Sequence, residues 1–340
     1  RFNRKMLYDV SLVVMETIAI IVAAFVLQNA WALVVGVLVN KLTAVSMSYA
    51  VHPYRPKLSF DMTAFKELFS FGKWVGVTGI ASYVISQGDM LATGRLLGTE
   101  AAGFYALAFG LALLPAVEIA RTLGSVMFPH LSRLPQEERG PAFLKMVRSV
   151  LLISVPATVG LSLIVEPLVS IVYGEKWLPM LVPFYVLIAY AGVRTCSYLI
   201  EPLYLSMGRP RFITMSTFLH LGGMALTIIP LGKVYGLAGI AGAVLFGSLL
   251  SLSYLLWGIR KDTVVRLRSL ARSAALPCVA AGIMAISLIS FEFMIPIQNV
   301  LVLVSAIGIG VVTYSVALFS IDTLRGGSVR RSLIWFKENL

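Results

Sequence analysis

Long apolar runs, broken by short and mostly basic polar intervals, dominate this chain. A helix needs about 20 consecutive apolar residues to cross the hydrocarbon layer of a bilayer. Ten stretches reach that length, near residues 7–27, 31–50, 73–97, 104–128, 146–165, 178–206, 212–230, 236–258, 273–292 and 298–320. Gly and Pro punctuate them, as membrane helices tolerate where neighbouring groups re-satisfy the backbone. The pattern predicts an all-α polytopic membrane protein with about ten transmembrane helices. One polar interval reads differently. Between Phe60 and Phe71, Phe60, Phe65, Leu68, Phe69 and Phe71 alternate with Asp61, Lys66 and Glu67. That is the pattern of an amphipathic helix in the plane of a membrane interface, and Trp74 follows at the depth aromatic rings prefer. The interval is either a linker between the first two spans and the next eight, or an interfacial helix with no linking role.

Composition agrees with the pattern. Of 340 residues, 58% are hydrophobic and 13% charged, against about 25% charged in soluble domains, so most of the surface faces lipid. A net charge of +12 would in a soluble protein raise the question of nucleic acid, but its distribution gives another answer. With a cytoplasmic start and alternating spans, 22 of the 28 Lys and Arg fall in cytoplasmic segments. Only Arg95, Lys176 and Lys233 fall outside, and Lys41, Arg121 and Arg194 lie within spans. This is the positive-inside asymmetry, and nucleic acid is not an expected partner. No signal-peptide pattern opens the chain; it begins at Arg1 on a basic segment, so upstream residues are expected. Cys196 and Cys278 sit in apolar runs without CxxC spacing and read as buried thiols. His52, His130 and His220 form no ligand cluster, so no metal site is expected; His220, in mid-helix, reads as a packing or hydrogen-bonding residue.

Several local patterns resemble a known family. The segment Asp89–Gly98, DMLATGRLLG, followed by Ala102–Ala108, AGFYALA, resembles the start of the second lobe of polysaccharide flippases. Phe128–Arg133, FPHLSR, is similar to their FP-x-L-S-R segment. Gly174–Trp177 (GEKW), Gly208–Pro210 (GRP) and Trp31–Val34 (WALV) are similar to further family signposts. In order and spacing the whole chain resembles the exopolysaccharide and O-antigen flippases, nearest to the colanic-acid-exporter-like branch. Their superfamily also holds multidrug extruders and the lipid II flippase. The resemblance implies part of a two-lobe flippase fold, with twelve or fourteen spans in the family. On it, residues 1–50 are the last two helices of the first lobe and 51–72 an amphipathic cytoplasmic linker. Residues 73–262 are a six-helix second lobe, and 263–340 two extra helices with a basic tail. Four further spans are expected upstream of Arg1. The implied function is translocation of polyprenyl-pyrophosphate-linked oligosaccharide repeat units across the bacterial inner membrane, by alternating access and without catalysis. Implied partners are the lipid-linked oligosaccharide, membrane lipids and the polysaccharide polymerase and export machinery. No phosphate-cradling Gly loop follows a strand, so ATP and other cofactors are not expected; a coupling ion, H⁺ or Na⁺, stays open.

Charges inside spans carry the site reading, because each costs ~2.5–3.5 kcal/mol at the bilayer centre even on a lenient scale. Glu118 and Arg121, three apart, share a helical face. They form either a self-neutralising structural pair or a cationic site held by its carboxylate. Arg194 and Glu201, seven apart, also share a face, and Arg194 lies ~18 Å from the cytoplasmic end of its helix, too deep to snorkel easily. Arg121 lies ~10 Å from its own end, where snorkelling stays open. Lys41, near mid-span, needs a wet cavity or a partner. A pyrophosphate head calls for guanidinium or ammonium donors in a shielded cavity, so Arg194, Arg121 and Lys41 are the candidate substrate-binding cations. Asp89, Glu118, Glu16 and Glu201 are the candidates for ion coupling or charge pairing. Asp89 and Gln87 lie in the outer third of their span, and a structural pairing of Asp89 with Arg95 is the competing reading. A multidrug or cation antiporter would want an acidic cavity, whereas three deep cations favour an anionic substrate. A polyprenyl-dependent glycosyltransferase would need a large acidic catalytic loop, and the longest polar loops here are about 20 residues and basic. A non-transporting scaffold, its charges serving only as helix glue, is the remaining alternative.

Overall fold

In the computed structural model, which describes residues 2–51, 61–262 and 265–324, the apolar runs become helices joined by short turns. They are α1 (Phe2–Leu27), α2 (Trp31–Val51), α3 (Met62–Leu97), α4 (Thr99–Leu113), α5 (Ile119–Arg133), α6 (Gln136–Val172), α7 (Leu181–Ser206), α8 (Pro210–Asp262), α9 (Leu267–Met294) and α10 (Val300–Leu324). A π-helical turn, Leu114–Glu118, joins α4 to α5, and a 3-10 turn, Glu175–Met180, precedes α7. Among the described residues there is no strand, and eight helices are long and apolar enough to cross a membrane. The expected all-α polytopic fold is the one observed. Two expected spans, 212–230 and 236–258, share α8, which reverses at Gly236, and α3 carries the span expected at 73–97. The amphipathic interval runs into that span as one helix from Met62, with Phe65, Lys66 and Phe69 exposed. The rest of the expected linker, residues 52–60, and the basic tail, residues 325–340, lie outside the described residues.

The reversal in α8 depends on glycine. Gly236 has φ 58° and ψ −134°, a backbone region that a Cβ forbids. The two arms then pack so closely that a Cβ on Gly247 would collide with the His220 carbonyl and lie 3.0 Å from the Met224 amide nitrogen. Small residues at such contacts let membrane helices approach backbone to backbone.

The helices form two compact units, Arg1–Gly72 and Lys73–Leu340. The first contains the α1–α2 hairpin. Its turn places Gln28 at φ 49°, and the Asn29 side chain accepts a hydrogen bond from the Trp31 amide at 3.0 Å. Ile20 sits against Gly36, and in the same register Asn40 donates to Glu16 at 2.9 Å.

In the second unit, apolar side chains gather in layers. One cluster joins α4, α6, α7 and α8 through Tyr105, Val165, Phe184 and Ile240. Another joins α5, α6, α7 and α8 through Met127, Phe143, Leu203 and Leu255. A third seats α9 and α10 on α6 through Leu152, Met284 and Ala306. Polar ties reinforce that last contact: Tyr314 donates to the Leu152 carbonyl at 2.8 Å, and Arg148 lies 3.9 Å from Asp322. With 37 residues, α6 is ~55 Å long, well beyond the ~30 Å hydrocarbon layer. Its polar start around Glu137 and Arg139 therefore extends past the bilayer. There Arg139 donates to the carbonyls of Leu134 and of Ser206, the last residue of α7, satisfying groups a helix end leaves open.

Candidate functional site

Two of the expected cations meet beside the seam between α5 and α7. Ala116, Val117 and Ala191 form one small buried cluster, and a Cβ on Gly124 would touch the Tyr198 carbonyl at 3.4 Å. Positions 116 and 124 thus face 191 and 198, so the two helices run parallel. Arg121 stands level with residues 195–196, about 2 Å along the axis from Arg194. The sequence predicted one unbroken span over 104–128, but the chain widens into the π turn at Leu114–Glu118. Pro115 is the second residue of that turn; it has no N–H to give and its ring displaces the carbonyl four residues back. Such bulges redirect the helix beyond them and recur at functional sites. Arg121 comes three residues after the turn ends. Glu118 closes the turn, and its side chain lies outside the described residues.

Arg194 lies at the middle of α7, twelve residues or ~18 Å from Ser206. Its Nη1 is 3.1 Å from Glu201 Oε1, and both side chains are about one-fifth exposed, at 20% and 21%. The guanidinium carbon stands 4.1 Å from the centre of the Tyr198 ring. Arg194, Tyr198 and Glu201 follow one another at +4 and +7, so a single helical face builds the group. An isolated charge at this depth is expensive, and pairing is how membranes tolerate it. Stacking fixes the plane of the guanidinium while one nitrogen is bonded to Glu201, which leaves further N–H donors for an acceptor-rich anion.

Both arginines line a cavity of about 620 Å³. Tyr190 and Tyr198 of α7 belong to its wall, as do Ser82, Tyr83, Ser86 and Gln87 of α3, Phe109 of α4, and Thr217, His220 and Ser251 of α8. Of these, sequence reasoning singled out the two arginines and Gln87, and read His220 as a packing or hydrogen-bonding residue. Tyr190 and Tyr198 could have been found, because they flank Arg194 at −4 and +4 on the same helical face. Ser251 and Thr217 carried no such signal, since only the fold of α8 brings its two arms to one wall. A second cavity, about 510 Å³, lies among α6, α9 and α10, but its lining, including Leu152, Gly160, Met284 and Val311, is almost wholly apolar and offers an anion nothing.

The remaining candidates are placed elsewhere. Asp89 is buried, 2% exposed. Its Oδ2 accepts the Tyr105 hydroxyl at 2.9 Å and its Oδ1 the Met90 amide at 2.8 Å. Arg95, the alternative partner, is exposed. The turn at Gly98 explains the difference, because it folds α4 back along α3 and delivers Tyr105 to the carboxylate. Glu16 and Lys41 belong to the first unit, where Glu16 is held by Asn40 and Lys41 is exposed on α2.

A family model described as polysaccharide biosynthesis protein matches residues 1–182. The chain is 28% identical over 176 residues to the teichuronic acid biosynthesis protein TuaB of Bacillus subtilis (strain 168), covering 51% of this chain and 36% of that protein. It is 26% identical over 248 residues to the lipopolysaccharide biosynthesis protein WzxC of Escherichia coli (strain K12), covering 70% of this chain and 49% of that protein. The chain thus spans about half the length, or less, of these curated relatives. Among solved structures, the lipid II flippase MurJ in an inward closed conformation superposes with a TM-score of 0.67 at 17% identity, over 91% of this chain and 67% of that one. That likeness concerns the fold.

Proposed function

Because the chain belongs to the polysaccharide biosynthesis protein family, we propose that it translocates polyprenyl-pyrophosphate-linked oligosaccharides across the membrane, with the pyrophosphate seated at Arg194 and Arg121. It is a multi-pass protein of the bacterial inner membrane. The observation that carries the reading is the state of Arg194: half-buried at mid-span, stacked on Tyr198, held by Glu201 and facing a cavity it shares with Arg121. A guanidinium fixed in plane binds a diphosphate by paired N–H···O contacts that a point charge cannot copy. The MurJ-like fold supports a cycle in which access to the cavity alternates between the two sides of the membrane. If H⁺ or Na⁺ drives the cycle, Glu201 is the carboxylate paired with Arg194 among the described residues, whereas Asp89 is committed to Tyr105.

The test is glycan export in cells, normalised to the amount of protein in the membrane, for Arg194→Ala, Glu201→Gln and the double variant. Export should be lost in Arg194→Ala at normal abundance, and Arg194→Lys should restore it only in part. If abundance falls with activity in Arg194→Ala and the double variant recovers both, the pair belongs to the fold and the reading is wrong.

A further inference from the structure

The wall of the cavity that bears no arginine has its own chemistry. Ser86 donates its hydroxyl proton to the Tyr83 carbonyl at 3.0 Å, and Thr217 donates its own to the Ile213 carbonyl at 2.9 Å. With those protons committed to their own helices, both oxygens offer lone pairs to the cavity. A phosphate, itself rich in acceptors, gains nothing there; a ligand with O–H donors does. Gln87 beside them can both donate and accept. His220 is 1% exposed, and its Nε2 has no hydrogen-bond partner among the described residues, a rare condition for a buried polar atom. Its ring stands edge-on to Tyr190, with centroids 6.1 Å apart, and the Phe109 ring lies 6.2 Å from Tyr190 at 33°. Joined aromatic faces of this kind attract C–H groups through their negative π surfaces.

From this we infer that the α3–α8 wall is a sugar subsite, in which His220 and Thr217 meet hydroxyls of the first sugar ring while Phe109 and Tyr190 take its C–H face. The inference rests on the proposed function, because it divides one cavity into a cationic half for the diphosphate and a neutral half for the glycan. It also makes His220 a specificity-determining residue. A site built to bond hydroxyls discriminates against a ligand without them, because its polar groups would stay unpaired.

The experiment measures binding by the purified full chain in lipid nanodiscs. The ligands are undecaprenyl pyrophosphate, bare or carrying one glucose, galactose or N-acetylglucosamine. Wild type should bind at least one sugar-bearing form about 10-fold or more tighter than the bare lipid, the scale of one or two good hydrogen bonds. In His220→Phe, which keeps an aromatic ring against Tyr190, and in Thr217→Val, which keeps the shape, that preference should fall to about threefold or less. The preference is read within each variant as the ratio of sugar-bearing to bare lipid, so a general change in lipid affinity cancels. His220→Phe removes the orphaned nitrogen but also the bond the ring makes to the Val244 backbone, so it should melt at or slightly below wild type, whereas Thr217→Val keeps that bond. Bare-lipid binding with no sugar preference, or a preference that survives both variants, overturns the subsite and leaves the proposed function standing. Absence of bare-lipid binding overturns both.

Discussion

A single methyl group at Gly247 tests whether the α8 hairpin is built as described. In Gly247→Ala the new Cβ would lie 2.8 Å from His220 Cδ2 and 3.0 Å from the Met224 amide nitrogen, and closer still to the His220 carbonyl. Ordinary contact begins at 3.4 Å, so the arms must part by about 0.4 Å at the Met224 nitrogen and by more at the His220 carbonyl, both backbone atoms that cannot swing aside as a side chain can. Overpacking of this kind costs ~1–3 kcal/mol, offset in part by the ~1 kcal/mol that Ala gains over Gly inside a helix. Gly242, in the same arm, provides the control, for nothing lies within 4 Å of its added Cβ. The helical gain alone then applies, and Gly242→Ala should be neutral or slightly stabilising. The assay is thermal unfolding of the two purified variants in one detergent, monitored by intrinsic fluorescence. Gly247→Ala should melt below wild type and Gly242→Ala at or above it. Equal melting of the two variants would refute the close arm-to-arm contact, and with it the placement of His220 in the cavity wall.

The fold yields two further outcomes. Tyr105→Phe leaves a buried Asp89 oxygen without its donor and should cost ~1–3 kcal/mol; the same change combined with Asp89→Leu should recover most of the loss in a melting assay, and a neutral single variant would contradict the bond's importance. Single cysteines at Glu138 and Lys176, in a background lacking Cys196 and Cys278, should label only from the cytoplasm and only from outside, respectively; reversed or mixed labelling would contradict the orientation read from the basic residues.

The spans were legible because a bilayer leaves few alternatives: roughly twenty apolar residues in a row must become a helix. The Arg194–Glu201 pair was legible for a similar reason, since spacing on one helix fixes who shares a face before any tertiary contact forms. The hidden features depend on contacts between helices. Pro115 lies within a π turn, yet Pro156 and Pro167 of α6 and Pro202 of α7 sit inside continuous helices, so proline alone does not announce the break. Gly236 reverses α8 while Gly242, six residues later, lies in an unbroken helix arm; the difference lies in backbone angles that no residue type states. Asp89 and Tyr105 are 16 residues apart and meet only because the chain turns at Gly98. His220 looked like a packing or hydrogen-bonding residue because the cavity beside it is assembled from five separate helices.

The central claim is that the cavity beside Arg121 and Arg194 recognises an anionic head, and competition binding tests it most directly. Purified protein in nanodiscs would be offered undecaprenyl pyrophosphate against uncharged undecaprenol, which share the same tail. Each charge-assisted contact is worth ~1.5–3 kcal/mol, or roughly 10- to 100-fold in affinity. Wild type should therefore prefer the pyrophosphate by about 100-fold or more. Arg194→Ala should cut that preference roughly 10- to 100-fold, and removal of Arg121 as well should abolish it. Equal affinity of wild type for the two lipids, or a preference that Arg194→Ala leaves untouched, would contradict the account.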